Sequence, residues 1–93
     1  MNFKPLVWEE NYFKGELSGY ISRVYIKHVV DLEFVCTVPT GNKNGKYYYS
    51  YYINNQLMQQ FNEITMEEAI KQANATYNQF MNELYNDIQK YVM

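Results

Sequence analysis

The sequence predicts an α+β domain in which an antiparallel β-meander of three or four strands is covered on one face by one long C-terminal α-helix. Three observations lead to this prediction. Residues 20–38 alternate in polarity with a period of two, a tyrosine-rich segment follows a run of turn-forming residues, and the last third of the chain carries an apolar stripe with helical spacing. We expect the 93 residues to form a single domain (1–93), with the sheet in residues 1–64 and the helix in residues 65–92.

The first strands are expected between residues 6 and 38. Residues 6–17 should form the first strand with a bend at Gly15, and Ser18-Gly19 should be a tight connection to the next one. The alternation over residues 20–38 is typical of strand structure. It fits either one long bent strand or a hairpin that turns near Val30-Asp31, since no glycine or asparagine marks a turn there.

A loop and a tyrosine strand come next. Residues 39–46 contain two glycines and two asparagines, which predicts a flexible hairpin loop. The following segment, K-Y-Y-Y-S-Y-Y-I, should be a strand that ends near Asn54. Because side chains alternate along a strand, the odd-numbered residues share one face with Ile53 and the even-numbered ones share the other. We expect the helix to cover the face of Ile53, which makes Tyr47, Tyr49 and Tyr51 core residues.

The C-terminal helix begins with a recognisable cap. Thr65 precedes M-E-E-A-I and Glu68 follows three residues later, which is typical of a capping box. The apolar stripe then comprises Met66, Ile70, Ala73, Tyr77, Phe80, Leu84, Ile88 and Tyr91. A second row, of asparagines, recurs every four residues at Asn74, Asn78, Asn82 and Asn86.

The predicted helix is longer than the strands beneath it. About 27 helical residues span about 40 Å, whereas eight strand residues span about 26 Å. The helix should therefore break, or its end should be buried against another surface. The side chains concerned are Tyr85, Ile88, Tyr91 and Val92. Three surfaces could cover them: the N-terminal residues Phe3, Leu6 and Trp8, a second copy of the chain, or a partner protein.

Catalytic and metal-binding chemistry is not expected. His28 is the one histidine and Cys36 the one cysteine. A Cys-His pair would form only if the strand register brought them together, and a packed histidine with a small buried thiol is the favoured explanation. One residue of each type is also too few for a metal site. We therefore predict no enzyme activity, no metal and no cofactor.

Charge and segment composition indicate the compartment. The net charge of −2 and the pI of about 5.3 argue against a general nucleic-acid-binding protein, which carries a basic surplus. A single cysteine cannot form an internal disulfide, and Glu9 and Glu10 interrupt the N-terminus before any signal-peptide core develops. No apolar run is long enough to span a membrane. We expect a soluble, cytoplasmic protein that does not bind membranes.

The open face of the sheet is the main candidate for a binding site. Its tyrosines and cations could form a protein interface or stack on the bases of single-stranded nucleic acid, although tyrosine is also simply a favoured strand residue. The predicted partner-binding residues are Tyr48, Tyr52, Tyr25, Arg23 and Lys27, together with Asn42, Lys43, Asn44 and Lys46 of the loop. A separate dimer or partner contact is predicted at Tyr85, Ile88 and Tyr91.

Three stretches in order support a resemblance: L-V-W-E-E near the start, Y-I-S-R-V-Y-I in the middle and T-M-E-E-A-I-K-Q-A at the start of the helix. Together they resemble small proteins of bacteriophages and prophages in which a β-meander precedes an alanine-bearing helix. Such phage proteins include stoichiometric inhibitors of host defence, the anti-CRISPR proteins among them. The resemblance implies a phage or mobile-element protein that binds and inhibits a host protein such as a defence nuclease, and it assigns a role to no particular residue.

Overall fold

The computed structural model of the chain describes residues 2–38 and 46–93, without the side chain of Glu63. These residues form β1 (Glu9–Phe13), β2 (Glu16–Ile26), β3 (Val30–Thr37), β4 (Lys46–Ile53), β5 (Gln56–Thr65) and α1 (Met66–Gln89). The strands make one antiparallel sheet in sequence order. The α+β class, the meander and the C-terminal helix are confirmed. The prediction of three or four strands was wrong, because the sheet has five.

Two of the hairpins turn through pairs of residues with positive φ. Lys14 and Gly15, with φ of 52° and 79°, join β1 to β2, and Asn54 and Asn55, with φ of 48° and 67°, join β4 to β5. Two successive positive φ angles are characteristic of a type I′ turn, whose twist matches that of the flanking strands. The chain therefore reverses at Gly15, where the sequence had predicted only a bend in one strand.

Residues 20–38 form a hairpin rather than one bent strand. The turn lies at residues 27–29, where the Val29 N–H donates to the carbonyl oxygen of Ile26 at 2.9 Å and His28 has a φ of 66°. The predicted turn at Val30-Asp31 was therefore placed too late, and His28 is not a strand residue. Histidine is among the residues that accept the left-handed conformation more readily than most.

Ser18-Gly19 lies inside β2 and is not the predicted connection. Asn11 pairs with Gly19 and Tyr12 pairs with Leu17, so Ser18 is an extra residue that forms a β-bulge. The Ser18 hydroxyl donates to the carbonyl oxygen of Asn11 at 3.0 Å. Gly19 is buried against β3, where a Cβ atom would lie 2.0 Å from the carbonyl oxygen of Cys36. Only glycine allows this approach of the two strands.

The core lies between the sheet and α1. Phe34 stacks on Tyr51 with ring centroids 5.0 Å apart, and the small side chains of Ala69 and Ala73 let the helix approach closely. The buried hydrophobic residues of the core are Val30, Leu32, Phe34, Cys36, Tyr49, Tyr51, Ile64, Ala69, Ala73 and Tyr77, with Tyr47 and Ile53 at the margin. The helix thus covers the face of Ile53. The predicted core positions of Tyr49 and Tyr51 are confirmed, and Tyr47 packs half-buried at the margin of the same core.

The helix is continuous, and Thr65 caps its start as the sequence predicted. The Glu68 N–H donates to the Thr65 hydroxyl at 3.1 Å, and the helix ends at Gln89, three residues before the predicted end. Beyond this point Tyr91 and Val92 are exposed, as is Ile88 in the last turn. Two of the predicted alternatives are therefore excluded, because the helix does not break and the N-terminal segment does not cover this end. Burial against a second copy or a partner protein stays a prediction.

The N-terminal segment packs against the middle of the molecule instead. Phe3, Leu6 and Trp8 contact the core, and the ring of Phe3 meets the ring of Tyr77 edge to face at 6.4 Å. The Tyr77 hydroxyl donates to the carbonyl oxygen of Lys4 at 2.7 Å. These contacts attach the start of the chain to α1.

Candidate functional site

The sheet face opposite α1 carries several of the predicted partner-binding residues. Arg23, Glu33 and Tyr52 lie directly opposite one another on β2, β3 and β4, and Tyr25 lies beside them opposite Asp31. Tyr25 is 68% exposed and Tyr52 is half-buried. Adjacent positions on three strands therefore bring Arg23, Tyr25 and Tyr52 together into one surface, which we call the Arg23 surface.

The remaining predicted residues lie outside this surface. Tyr48 is exposed on the same face, four residues before Tyr52, which corresponds to about 13 Å along the strand. Lys27 is in the β2–β3 turn beyond the last paired residue of β2, and Lys46 begins β4. Asn42, Lys43 and Asn44 lie outside the described residues.

Carboxylates neutralise the charge of Arg23. The Glu33 carboxylate accepts a hydrogen bond from Arg23 Nε at 3.1 Å and a second from Nη2, and Asp31 Oδ1 lies 3.8 Å from Nε. These carboxylates raise the pKa of the guanidinium, Glu33 most strongly. Glu33 lies directly across from Arg23, and Asp31 lies directly across from Tyr25 on the same face. The pairing orients Arg23 and leaves its charge balanced within the sheet.

A hollow opens beside Arg23. Its volume is about 350 Å³, and its lining consists of Val7, Glu9, Ile21, Arg23 and Tyr25. Val7 and Ile21 supply apolar walls, while the Glu9 carboxylate forms no hydrogen bond or salt bridge with any described residue. Glu33 and Asp31 pair with the Arg23 guanidinium, and the more distant charge of Glu9 adds a weaker electrostatic effect on its pKa. The hollow suits an apolar stem that ends in a positive charge.

Sequence reasoning did not select Val7 or Glu9 for this surface. Both were assigned to a first strand, but β1 begins only at Glu9, and the face on which Glu9 lies depends on the register in which it pairs with Ile21. The bulge at Ser18 sets this register, and a shift of the pairing by one residue would have placed Glu9 on the other face of the sheet. Residues 6–17 do not alternate in polarity, so the sequence held no signal for the face on which Glu9 lies.

The structure separates the two candidate catalytic residues. His28 is exposed in the β2–β3 turn, whereas Cys36 is fully buried near the opposite end of β3. Burial raises the pKa of the Cys36 thiol to about 11, which keeps it protonated and weakly nucleophilic at neutral pH. Within residues 2–38 and 46–93, no three His, Cys, Asp or Glu side chains form a group that could hold a metal ion.

The third predicted contact lies at the helix end. Ile88 and Tyr91 are exposed, Tyr91 to 87%, and are three residues apart along the chain. Tyr85 is half-buried one turn earlier. This end lies on a different element from the Arg23 surface.

Comparison with known proteins finds no match: no family model fits the chain, and no curated protein or solved structure is significantly similar to it. In the described part of the chain, no helix combines the length and apolarity needed to cross a membrane.

Proposed function

We propose that this chain is a non-enzymatic protein that binds a partner protein through the Arg23 surface and inhibits it by covering a functional site. The observation that carries the proposal is that Tyr25 and Tyr52 lie beside the Arg23–Glu33 pair on the open face of the sheet. Tyrosine and arginine are the residues most enriched at the centres of protein interfaces. Oriented side chains also lose less conformational entropy on binding.

The same geometry favours a protein over single-stranded nucleic acid. Base stacking would use Tyr25, Tyr48 and Tyr52 with nearby cations to neutralise phosphates. Tyr25 and Tyr48 lie toward opposite ends of the sheet, because Tyr25 is opposite Asp31 and Tyr48 is opposite Thr37. Arg23 is already paired with carboxylates. The face therefore offers neither a continuous row of rings nor an unpaired arginine.

The hollow indicates the chemistry of the partner. A lysine or arginine side chain of the partner could place its apolar stem against Val7 and Ile21. Its cationic end could then pair with the Glu9 carboxylate and lie over the ring of Tyr25. Proteins that act on nucleic acids display such side chains on their phosphate-binding surfaces. This complementarity supports a nuclease as the target, and the resemblance to phage proteins adds that it would be a host defence nuclease.

Capture from a bacterial lysate tests the surface. We expect the immobilised protein to retain one partner, and the double variant Tyr25→Ala/Tyr52→Ala to lose it while keeping a native circular dichroism spectrum. The matched control is Tyr85→Ala/Tyr91→Ala, which removes two tyrosines from the helix end and should retain the partner. Equal retention by both double variants, or no retained protein, would contradict the proposal.

A titration of the captured nuclease tests the mechanism. A stoichiometric inhibitor should lower nuclease activity linearly until the two proteins are present in equal molar amounts. Loss of activity at a small fraction of that amount would show turnover and would rule out a non-enzymatic mechanism. Glu9→Gln should weaken inhibition if a basic side chain occupies the hollow, whereas Glu16→Gln on the β1–β2 hairpin serves as the charge-matched control.

A further inference from the structure

We propose that the groove between the N-terminal segment and α1 binds an extended peptide segment of another protein chain. The groove has a volume of about 460 Å³ and is lined by Asn2, Phe3, Pro5, Asn74, Tyr77, Asn78 and Asn82. None of these side chains carries a charge. The groove lies on the helix side of the molecule, so this proposal does not depend on the Arg23 surface or on the proposed function.

The asparagine row has the spacing that an extended chain requires. Asn74, Asn78 and Asn82 follow one another every four residues, a rise of about 6 Å per step along the helix. An extended peptide repeats every two residues, about 6.6–6.8 Å. Each asparagine amide has both donors and an acceptor, so it can pair with the N–H and C=O of one peptide residue. Successive asparagines would then contact every second residue of the peptide.

The asparagine amides face little competition for these bonds. Asn82 Nδ2 donates to the main-chain oxygen of Asn78 at 2.9 Å, which leaves its carbonyl oxygen and its second N–H for a ligand. The side chains of Asn74 and Asn78 make no hydrogen bond to described residues. Asparagine is a poor helix former, so the row does not serve the stability of α1.

The opposite wall offers main-chain groups. Residues 2–5 form no backbone–backbone hydrogen bond with the described part of the chain, and the Lys4 carbonyl oxygen accepts only the Tyr77 hydroxyl. The main-chain N–H groups of residues 2–4 can therefore donate to an incoming strand as those of a sheet edge do, whereas Pro5 has no N–H to offer. The rings of Phe3 and Tyr77 add apolar surface for a peptide side chain. An extended peptide has a main-chain N–H and C=O at almost every residue. It can therefore hydrogen-bond to both walls of the groove.

The probe is a displayed library of random seven-residue peptides, selected against the whole protein. A selected peptide is synthesised with capped ends, and its affinity is measured for the native protein, Asn78→Ala and Asn86→Ala. Asn86 is the matched control, because it continues the same row one turn beyond the groove and is exposed. We expect Asn78→Ala to weaken binding about tenfold, since two hydrogen bonds are lost. Asn86→Ala should change the affinity less than about twofold.

Methylation of a central peptide nitrogen provides a second readout. It removes a backbone donor without changing a side chain. Methylation of the central nitrogens one at a time should therefore abolish binding at every second position, where an asparagine amide recognises the main chain. Failure to enrich any peptide, or equal affinity for Asn78→Ala and the native protein, would overturn the proposal. Peptides whose binding is lost in Tyr25→Ala but kept in Asn78→Ala would belong to the Arg23 surface and would also overturn it.

Discussion

Tyrosine hydroxyls in the core between the sheet and α1 differ in whether they have a hydrogen-bond partner. The Tyr49 side chain is fully buried, and its hydroxyl has no partner in hydrogen-bonding geometry among the described residues. Burial raises the pKa of Tyr49, an effect that the Thr76 hydroxyl offsets only in part. The hydroxyl of Tyr77, in contrast, donates to Lys4. The same functional group therefore destabilises one site and stabilises the other.

A pair of identical substitutions tests this difference. Tyr49→Phe should leave the free energy of unfolding unchanged or raise it, because it removes an unpaired buried hydroxyl. Tyr77→Phe should lower the free energy by about 1 kcal/mol, because it removes a made hydrogen bond. Urea denaturation followed by circular dichroism measures both. A loss of stability in Tyr49→Phe as large as that in Tyr77→Phe would contradict this account.

The sequence predicted which side chains are buried wherever the two-residue alternation of a strand was unbroken. The alternation through K-Y-Y-Y-S-Y-Y-I correctly placed Tyr49 and Tyr51 in the core and Tyr48 on the open face. It failed at His28, because a left-handed residue in a turn looks like one more member of an alternating run. The pairing of Arg23 with Glu33 also depends on strand register, which alternation within one strand does not contain.

At the scale of elements, β5 is the strand that the sequence did not predict. Its pairing with β4 shifts register twice, between Tyr47 and Tyr49 and between Tyr51 and Tyr52. Each shift breaks the period of two, so Q-L-M-Q-Q-F-N shows no strand pattern. Asn54-Asn55 was the missed signal, since two asparagines between apolar runs favour a type I′ turn. The helix was predictable because its cap and its apolar stripe are local features.

The close approach of β2 and β3 makes Gly19 the most constrained glycine in the described chain. Gly19→Ala should lower the free energy of unfolding by more than about 2 kcal/mol, because the new Cβ would overlap the Cys36 carbonyl oxygen and the strands would have to separate. Gly15→Ala is the control. It has positive φ but no atom within 4 Å of the added Cβ, so it should lose about 1 kcal/mol from backbone strain alone. Equal losses would contradict the steric argument.

The exposed helix end should contribute little to the stability of a single chain. The double substitution Ile88→Ser/Tyr91→Ser should change the free energy of unfolding by less than about 0.5 kcal/mol, because little buried area is lost. Phe80→Ala should lower it by more than about 1 kcal/mol, since Phe80 packs against the core. A large effect of the double variant that depends on protein concentration would instead reveal a homodimer, which light scattering would show directly.

At the scale of the whole molecule, the chain has a larger accessible surface than a compact protein of the same mass. Its accessible surface is 7034 Å², whereas a compact protein of this mass exposes about 5,700 Å². The molecule measures 55 × 24 × 22 Å, and the β1–β2 hairpin extends past the start of the β2–β3 pairing at Gly19. The excess surface follows from this elongated shape, because an elongated body exposes more area than a sphere of the same volume.

The charge distribution predicts how the molecule responds to nucleic acid. With a net charge of −2 and Arg23 paired to carboxylates, we expect no saturable binding of a single-stranded oligonucleotide even at low salt. Fluorescence anisotropy of a labelled thymidine oligomer measures this. Saturable binding that weakens steeply with added salt would replace the protein-binding proposal with the nucleic-acid alternative.

The contact between Tyr77 and Lys4 spans 73 positions of the sequence, whereas each described hairpin closes over two or three residues. Short loops close at little entropic expense, so the hairpins and the helix should form early in folding and the N-terminal segment should dock last. The same segment should be the first to detach in the native state. Detachment would remove one wall of the asparagine groove and the Val7 side of the hollow, but it would leave the Arg23–Glu33 pair intact. The groove could therefore be lost without global unfolding while Arg23, Tyr25 and Tyr52 keep their places on the sheet.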